Sequence, residues 1–296
     1  NYAYDNRYLV SVSLRRDGDS RFGADQKFAT FPALSLGWNV QNESFLEDNE
    51  KLSLLKLRFS TGSLGTTSFL GAYNSLSLLN PQATVLGTGY LIPSDVANPD
   101  LTWQTNTETN YGIDLGFINN RFTISADYYT SNIEDILIRQ SVSEVLGTPS
   151  IALNSGDVKS SGLELELGAK IFYNENFSWT VSGNFSTVDT KITNLGNLTE
   201  LPRTIYGVSG RGPMFRNYVG GEIGEMWGLE TIGEVEDIYI ADPTRNIGIN
   251  SSEYYVKDQQ SPGEPGYGEI DYTKPVSEGG DLVKLGVNSP DYYWGF

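Results

Sequence analysis

Period-2 alternation of apolar and polar residues, repeated in segment after segment, constrains this chain more than any other feature. Successive side chains of a strand point to opposite faces, so strict alternation describes a strand with one apolar side and one polar side. In 8–15, Tyr8, Val10, Val12 and Leu14 oppose Leu9, Ser11, Ser13 and Arg15. In 33–40, Leu34, Leu36, Trp38 and Val40 oppose Ala33, Ser35, Gly37 and Asn39. In 55–62, Leu55, Leu57 and Phe59 oppose Lys56, Arg58 and Ser60. The pattern returns in 107–117, 122–129, 163–171 and 179–186. A weaker strand is expected near 221–229, and another from Tyr292. The fold expected is all-β.

Connection lengths narrow the architecture. Residues 107–117 and 122–129 are separated by a tight turn at Asn119-Asn120, residues that tolerate positive φ. Residues 163–171 and 179–186 are joined through Asn174-Glu175-Asn176, and 33–40 and 55–62 by a moderate polar segment. The alternate connections, 16–30, 62–106, 130–162 and 187–220, are longer. Short and long connections thus take turns, as they do in antiparallel transmembrane barrels. Phe117, Phe122, Phe172, Tyr173, Phe177 and Trp179 flank the short turns, where an interfacial aromatic girdle would sit. A soluble β-sandwich also alternates, but its loops are usually short at both ends. The expectation is about eight or nine antiparallel strands of a larger barrel, with long external loops. No run of about 18 apolar residues is present to form a spanning helix, whereas a spanning strand needs only about ten residues.

Composition removes whole classes of chemistry. Asp and Glu number 37 against 20 Lys and Arg, for a net charge of −17, which disfavours a nucleic-acid partner. The chain has no cysteine and no histidine, which rules out thiolate or His-ligated metal sites, disulfides and Ser-His-Asp catalysis within it. No cofactor, metal or catalytic site is expected, and the chain is not read as an enzyme. The start, Asn1-Tyr2-Ala3-Tyr4-Asp5, lacks an initiator Met and a signal peptide, and is read as a cut.

The ordered motifs resemble a known family. They include Arg15-Arg16-Asp17-Gly18, Phe31-Pro32-Ala33-Leu34-Ser35-Leu36-Gly37-Trp38, and Asn98-Pro99-Asp100-Leu101-Thr102-Trp103-Gln104-Thr105. Tyr111-Gly112-Ile113-Asp114-Leu115-Gly116, Ser161-Gly162-Leu163-Glu164-Leu165-Glu166 and Gly221-Glu222-Ile223-Gly224 follow in order. Together they are similar to the barrel of SusC/RagA-type TonB-linked outer-membrane proteins. The resemblance implies an outer-membrane location in a Gram-negative, Bacteroidetes-like bacterium and import of glycan or peptide oligomers. It also implies a SusD-like lipoprotein lid and TonB as partners. Residues 1–296 would then be a partial barrel region, with the plug domain and remaining strands outside it. The family's calcium-like loop is not matched by Gly266-Tyr267-Gly268-Glu269-Ile270-Asp271.

The residues themselves leave two other readings open: a non-transport structural or adhesive barrel, and a soluble β-rich carbohydrate-binding module. On the barrel reading, Arg15, Lys56, Arg58, Asp114, Asp127, Glu164, Glu166 and Lys170 face a lumen. Glu164 and Glu166 are expected to pair with Lys170 or Arg58 rather than act as a catalytic pair. Tyr73, Tyr90 and Trp103 are candidates for stacking on a ligand, against a competing role in loop packing. Asp17-Gly18-Asp19-Ser20 reads as a turn. Arg203, Arg211 and Arg216 form a basic cluster that could meet lipid phosphates or neighbouring acids.

Overall fold

Each alternating segment is a strand, and the register of the strands keeps like faces together. The computed structural model describes residues 1–46, 49, 51–67, 71, 73, 75–76, 78–85, 88–95, 97–141, 143, 150–201, 204–205, 214–228, 241–242, 247–248 and 283–296. In chain order the strands are β1 (Tyr2–Tyr4), β2 (Tyr8–Gly18), β3 (Phe28–Asn39), β4 (Leu52–Thr66), β5 (Leu78–Val85) and β6 (Thr88–Asp95). There follow β7 (Gln104–Phe117), β8 (Phe122–Ser141), β9 (Ser150–Tyr173), β10 (Ser178–Thr187), β11 (Asp189–Asn194) and β12 (Thr204–Ile205). The last are β13 (Met214–Arg216), β14 (Glu225–Gly228), β15 (Ala241–Asp242), β16 (Ile247–Gly248), β17 (Val283–Val287) and β18 (Tyr292–Gly295). A single 3-10 turn, Val40–Asn42, is the one helical element among the described residues.

The chain forms two units, Asn1–Thr199 with Asp291–Phe296, and Glu200–Pro290. The first is built on one antiparallel sheet in the order β1-β2-β3-β4-β7-β8-β9-β10-β18, with β11 paired to the upper part of β9. The strands of this sheet neighbour one another in sequence order, with β5 and β6 inserted as a separate hairpin. The second unit contains a four-stranded sheet, β12-β13-β14-β17, and the β15–β16 pair.

On one face of the main sheet the large apolar side chains are on the surface rather than in a core. Val12 and Leu14 are 70% and 73% exposed, and Leu36, Leu57, Tyr111, Tyr128, Leu163 and Leu167 are exposed with them. Register aligns these residues: Leu36 faces Phe59, Phe59 faces Tyr111, Tyr111 faces Tyr128, and Tyr128 faces Leu163. A contiguous apolar face of this size exceeds what a water-soluble monomer normally shows.

The turn at the end of β7 has three consecutive residues with positive φ: Ile118 (54°), Asn119 (57°) and Asn120 (57°). Asparagine tolerates this conformation; the β-branched Ile118 does so only under constraint, here from its N–H donating to the Lys51 carbonyl at 2.8 Å. A second feature invisible to alternation lies at the end of β9. The pairing shifts between Trp179 and Thr180, so Trp179 faces Phe172 while Thr180 faces Lys170. The extra residue, Ile171, turns Phe172 onto the apolar side. There Phe172 stacks on Trp179, with centroids 6.0 Å apart and an interplanar angle of 17°. Phe177 lies 6.2 Å from the same ring. A matching ladder, Tyr4–Tyr8–Trp38, stacks at the short-turn end of β2 and β3.

The 130–162 stretch differs from the long loop expected. β8 and β9 continue pairing up to Ser141↔Ser150, interrupted by a bulge around Asp135, which has a φ of 59°. Alternation disappears there because both faces carry polar residues, such as Ser131, Asn132 and Ser160, so pairing persists without a hydrophobic pattern.

Candidate functional site

The polar face of the main sheet brings the expected charged residues together. Lys56 faces Asp114, Gly112 faces both Arg58 and Asp127, and Asp127 faces Glu164. Ser125 faces Glu166, so Lys56, Arg58, Asp114, Asp127, Glu164 and Glu166 share one face of four strands. Arg15 and Lys170 fall on that face by strand alternation.

Arg58 is the hub. Its Nε and Nη2 donate to the Asp114 carboxylate at 2.8 and 2.9 Å, and its Nη1 and Nη2 donate to Asp127 at 2.8 and 2.7 Å. Ser125 Oγ donates to Asp114 at 2.8 Å. One guanidinium fork thereby ties three strands, a geometry that lysine could not reproduce. Gly112 makes this possible: a Cβ there would lie 2.6 Å from both Arg58 Cζ and Asp127 Oδ1. The expected pairing of Glu164 or Glu166 with Arg58 is therefore corrected. Arg58 is used up by the two aspartates one and two strands away, and among the described residues neither glutamate has an ion-pair partner. Arg15 pairs with Asp17 at 2.7 Å. Beside the hub, a concavity of about 430 Å³ is lined by Ser11, Ser35, Lys56, Arg58, Ser60 and Asn110, among others.

The long-connection end has its own packed core. Phe22, Phe31, Leu101, Trp103 and Ala152 bury one another, and Leu101 is fully enclosed. Trp103 Nε1 donates to the Gln26 carbonyl at 3.2 Å, and its ring lies 5.0 Å from Phe22. Thr102 and Asn154 exchange hydrogen bonds at 2.9 Å, while Gly23 is closed against the Pro99 carbonyl, where a Cβ would lie at 2.1 Å. Of the two roles expected for Trp103, loop packing is the one the structure shows: the ring is buried, with Phe22 and Phe31 against it. Tyr73 is exposed. The Tyr90 side chain lies outside the described residues, as do Arg203, Arg211 and the 266–271 stretch.

Asp19 and Arg21 close the β2–β3 connection, with Arg21 Nη2 donating to Asp19 at 2.6 Å and also bonding Thr67. The Arg21 guanidinium outweighs burial and holds the Asp19 carboxyl down at about 2, against an ordinary 3.8. A carboxyl depressed on folding adds stability above its unfolded value and loses it as pH falls through the folded one. The tie is therefore expected to be complete above about pH 4 and lost as pH drops through about 2. A carbon-13 titration of the Asp19 carboxyl checks this; a midpoint at the ordinary value would contradict it.

Two buried carboxylates escaped sequence reasoning. Glu43, beside the short-turn end, accepts from Tyr8 Oη at 2.7 Å, Trp38 Nε1 at 2.9 Å and Arg7 Nη1 at 3.2 Å. The Tyr8 and Trp38 bonds hold its carboxyl below the usual range against the cost of burial. In the second unit, Glu225 is 2% exposed and accepts from Tyr218 Oη, Trp227 Nε1, the Glu222 N–H and Lys284 Nζ at 2.9–3.0 Å. Burial pushes this carboxyl up, but the four donors win and keep it low. Arg216 lies 4.4 Å from the Trp227 ring and binds Glu200 through two nitrogens, at 2.9 and 3.0 Å, so this member of the basic cluster is committed to an acid. The sequence offers little signal for either: Glu225 lies two residues from Trp227 but seven from Tyr218, and Glu43 lies five from Trp38 and 35 from Tyr8.

Comparison with known proteins agrees with this geometry. Residues 1–275 match the family model "TonB dependent receptor-like, beta-barrel". "TonB-dependent receptor P39" of Formosa agariphila is 30% identical over 95% of this chain and 27% of its own length. "TonB-dependent receptor SusC" of Bacteroides thetaiotaomicron is 35% identical over 66% of this chain and 20% of its own length. The RagAB peptide importer in its "closed-closed" state superposes with a TM-score of 0.73 at 22% identity, over 98% of this chain and 29% of that one. The chain therefore spans less than a third of the length of these relatives. With the family model matched over residues 1–275, the chain belongs to the TonB-dependent receptor β-barrel family.

Proposed function

We propose that this chain supplies wall strands and external loops to an outer-membrane importer of oligomeric nutrients, in a Gram-negative, Bacteroidetes-like bacterium. The observation that carries the reading is the two-sided sheet. Its exposed apolar face suits hydrocarbon, and its opposite face, with Arg58, Asp114, Asp127, Glu164 and Glu166, suits a water-filled lumen. On this reading residues 1–296 are one partial barrel region, and a plug and further strands complete the protein. Arg15, Lys56 and Lys170 line the same lumen. The long connections lie outside the cell, where exposed Tyr73 is available to cargo.

The relatives' names support a link to TonB, and the family resemblance adds oligomer cargo and a SusD-like lipoprotein lid to the proposal. The cargo class proposed is a glycan or peptide oligomer; of the similar proteins, the RagAB importer is named for peptide. No catalytic role is proposed. The test is uptake of labelled oligosaccharides and oligopeptides by cells lacking either this gene or TonB. Loss of uptake of one oligomer class in both strains, with monomer uptake intact, is expected. Uptake that survives loss of TonB would overturn the reading.

A further inference from the structure

Arg16 occupies an unusual position. By strand alternation it follows Val12 and Leu14 on the apolar face of β2, whereas its neighbour Arg15 is on the polar face and paired with Asp17. Arg16 is exposed and has no carboxylate partner among the described residues. Its guanidinium instead sits 5.0 Å from the centroid of Phe28, which is 63% exposed. Phe28 is the cross-strand partner of Gly18, and a Cβ on Gly18 would lie 2.6 Å from the ring. The glycine lets the ring lie down over the strand and present its face to Arg16, one pair below. The arginine is thus braced by a ring, and among the described residues nothing accepts from its hydrogen-bond donors.

Its height along the sheet is informative. The apolar face of β2 and β3 runs from the Tyr8–Trp38 pair to the Leu14–Pro32 pair and is met there by the Arg16–Thr30 pair, with Gly18–Phe28 beyond it. From Tyr8 to Arg16 is about eight residue steps, or roughly 26 Å along the strand. At a tilt of about 40° that covers roughly 20 Å, most of the ~25 Å height of an outer-membrane apolar belt. On neighbouring strands the apolar face ends at the same side in hydroxyls that satisfy each other: Thr61 with Thr109 at 2.9 Å, and Ser63 with Thr107 at 3.0 Å. Arg16 and Phe28 therefore stand where hydrocarbon gives way to headgroups.

We propose that Arg16, seated on Phe28, binds the phosphate of a membrane lipid headgroup at the long-connection rim of the sheet. The chemistry is specific. A planar guanidinium at the edge of hydrocarbon, with no protein acid to neutralise it, matches a phosphate oxygen pair. Leu14, on the membrane side of Arg16, offers an apolar surface for the acyl chains. The inference rests on the reading of the apolar face as lipid-facing.

The test uses the full-length transporter in dodecyl maltoside micelles, titrated with bisphosphorylated lipid A or with lipid A lacking both phosphates, and read by native mass spectrometry. Wild type is expected to prefer the phosphorylated form. Arg16→Ala should weaken that form about tenfold and leave the dephosphorylated form unchanged. Phe28→Leu keeps an apolar residue but removes the ring face, and should give an intermediate loss. Arg16→Ala binding phosphorylated lipid A as tightly as wild type, while remaining in carbonate-washed membranes, would overturn the phosphate site alone. Release of wild type itself by the carbonate wash would overturn the lipid-facing assignment and the site with it.

Discussion

Leu165→Arg is expected to destabilise the folded barrel by about 2–4 kcal/mol, while Glu166→Gln beside it changes stability by only a few tenths of that. The two positions are adjacent on β9 and point to opposite faces. Leu165 continues the apolar row with Leu163 and Leu167, so an arginine there would place a charge in hydrocarbon. Glu166 faces Ser125 and Asn184 on the neighbouring strands and has no ion pair among the described residues, so neutralising it orphans no cation. Denaturant unfolding of the full-length protein in lipid vesicles measures both. Equal losses at the two positions would contradict opposite environments.

Trp103→Ala is the second large effect. Removing a buried indole commonly costs about 3–5 kcal/mol. Here it also strands the Gln26 carbonyl and opens the space between Phe22 and Phe31. Leu101→Ala, at a fully enclosed position, should cost about 2–5 kcal/mol. The damage should be local, because this core ties the 19–27 connection and the 97–103 segment to β8 and β9 rather than holding the spanning strands together. Hydrogen exchange is expected to rise in those segments while amides of 163–169 stay protected. Unchanged protection at 19–27 would show that the cluster does not organise that end.

The expected strand faces match the observed ones where one side of a strand is uniformly apolar. Leu163, Leu165 and Leu167 against Glu164 and Glu166 can be read in only one way, and 33–39 is equally plain, whereas Val40, expected on the same row, opens the 3-10 turn and is buried. Bulges were not legible, because an extra residue leaves no mark on composition; Ile171 looked like another member of the apolar row, and Phe172 was assigned by proximity to the turn. The upper parts of β8 and β9 were read as loop because polar residues on both faces erase the period. Alternation puts Arg58 on the polar face, but its choice of Asp114 and Asp127 over Glu164 depends on register and on the gap left by Gly112. Trp103 was ambiguous for a physical reason: an aromatic ring suits a sugar face and a packed core equally well, and only burial decides.

The central claim concerns what each face of the sheet touches. This chain contains no cysteine, so single cysteines at 163, 164, 165, 166 and 167 can each carry a spin label in the full-length protein after removal of any cysteines elsewhere. Collision rates with oxygen and with a water-soluble nickel chelate should alternate, with oxygen dominating at 163, 165 and 167 and nickel at 164 and 166. Odd positions shielded from both reagents, as they would be against a second packed sheet, would contradict the account.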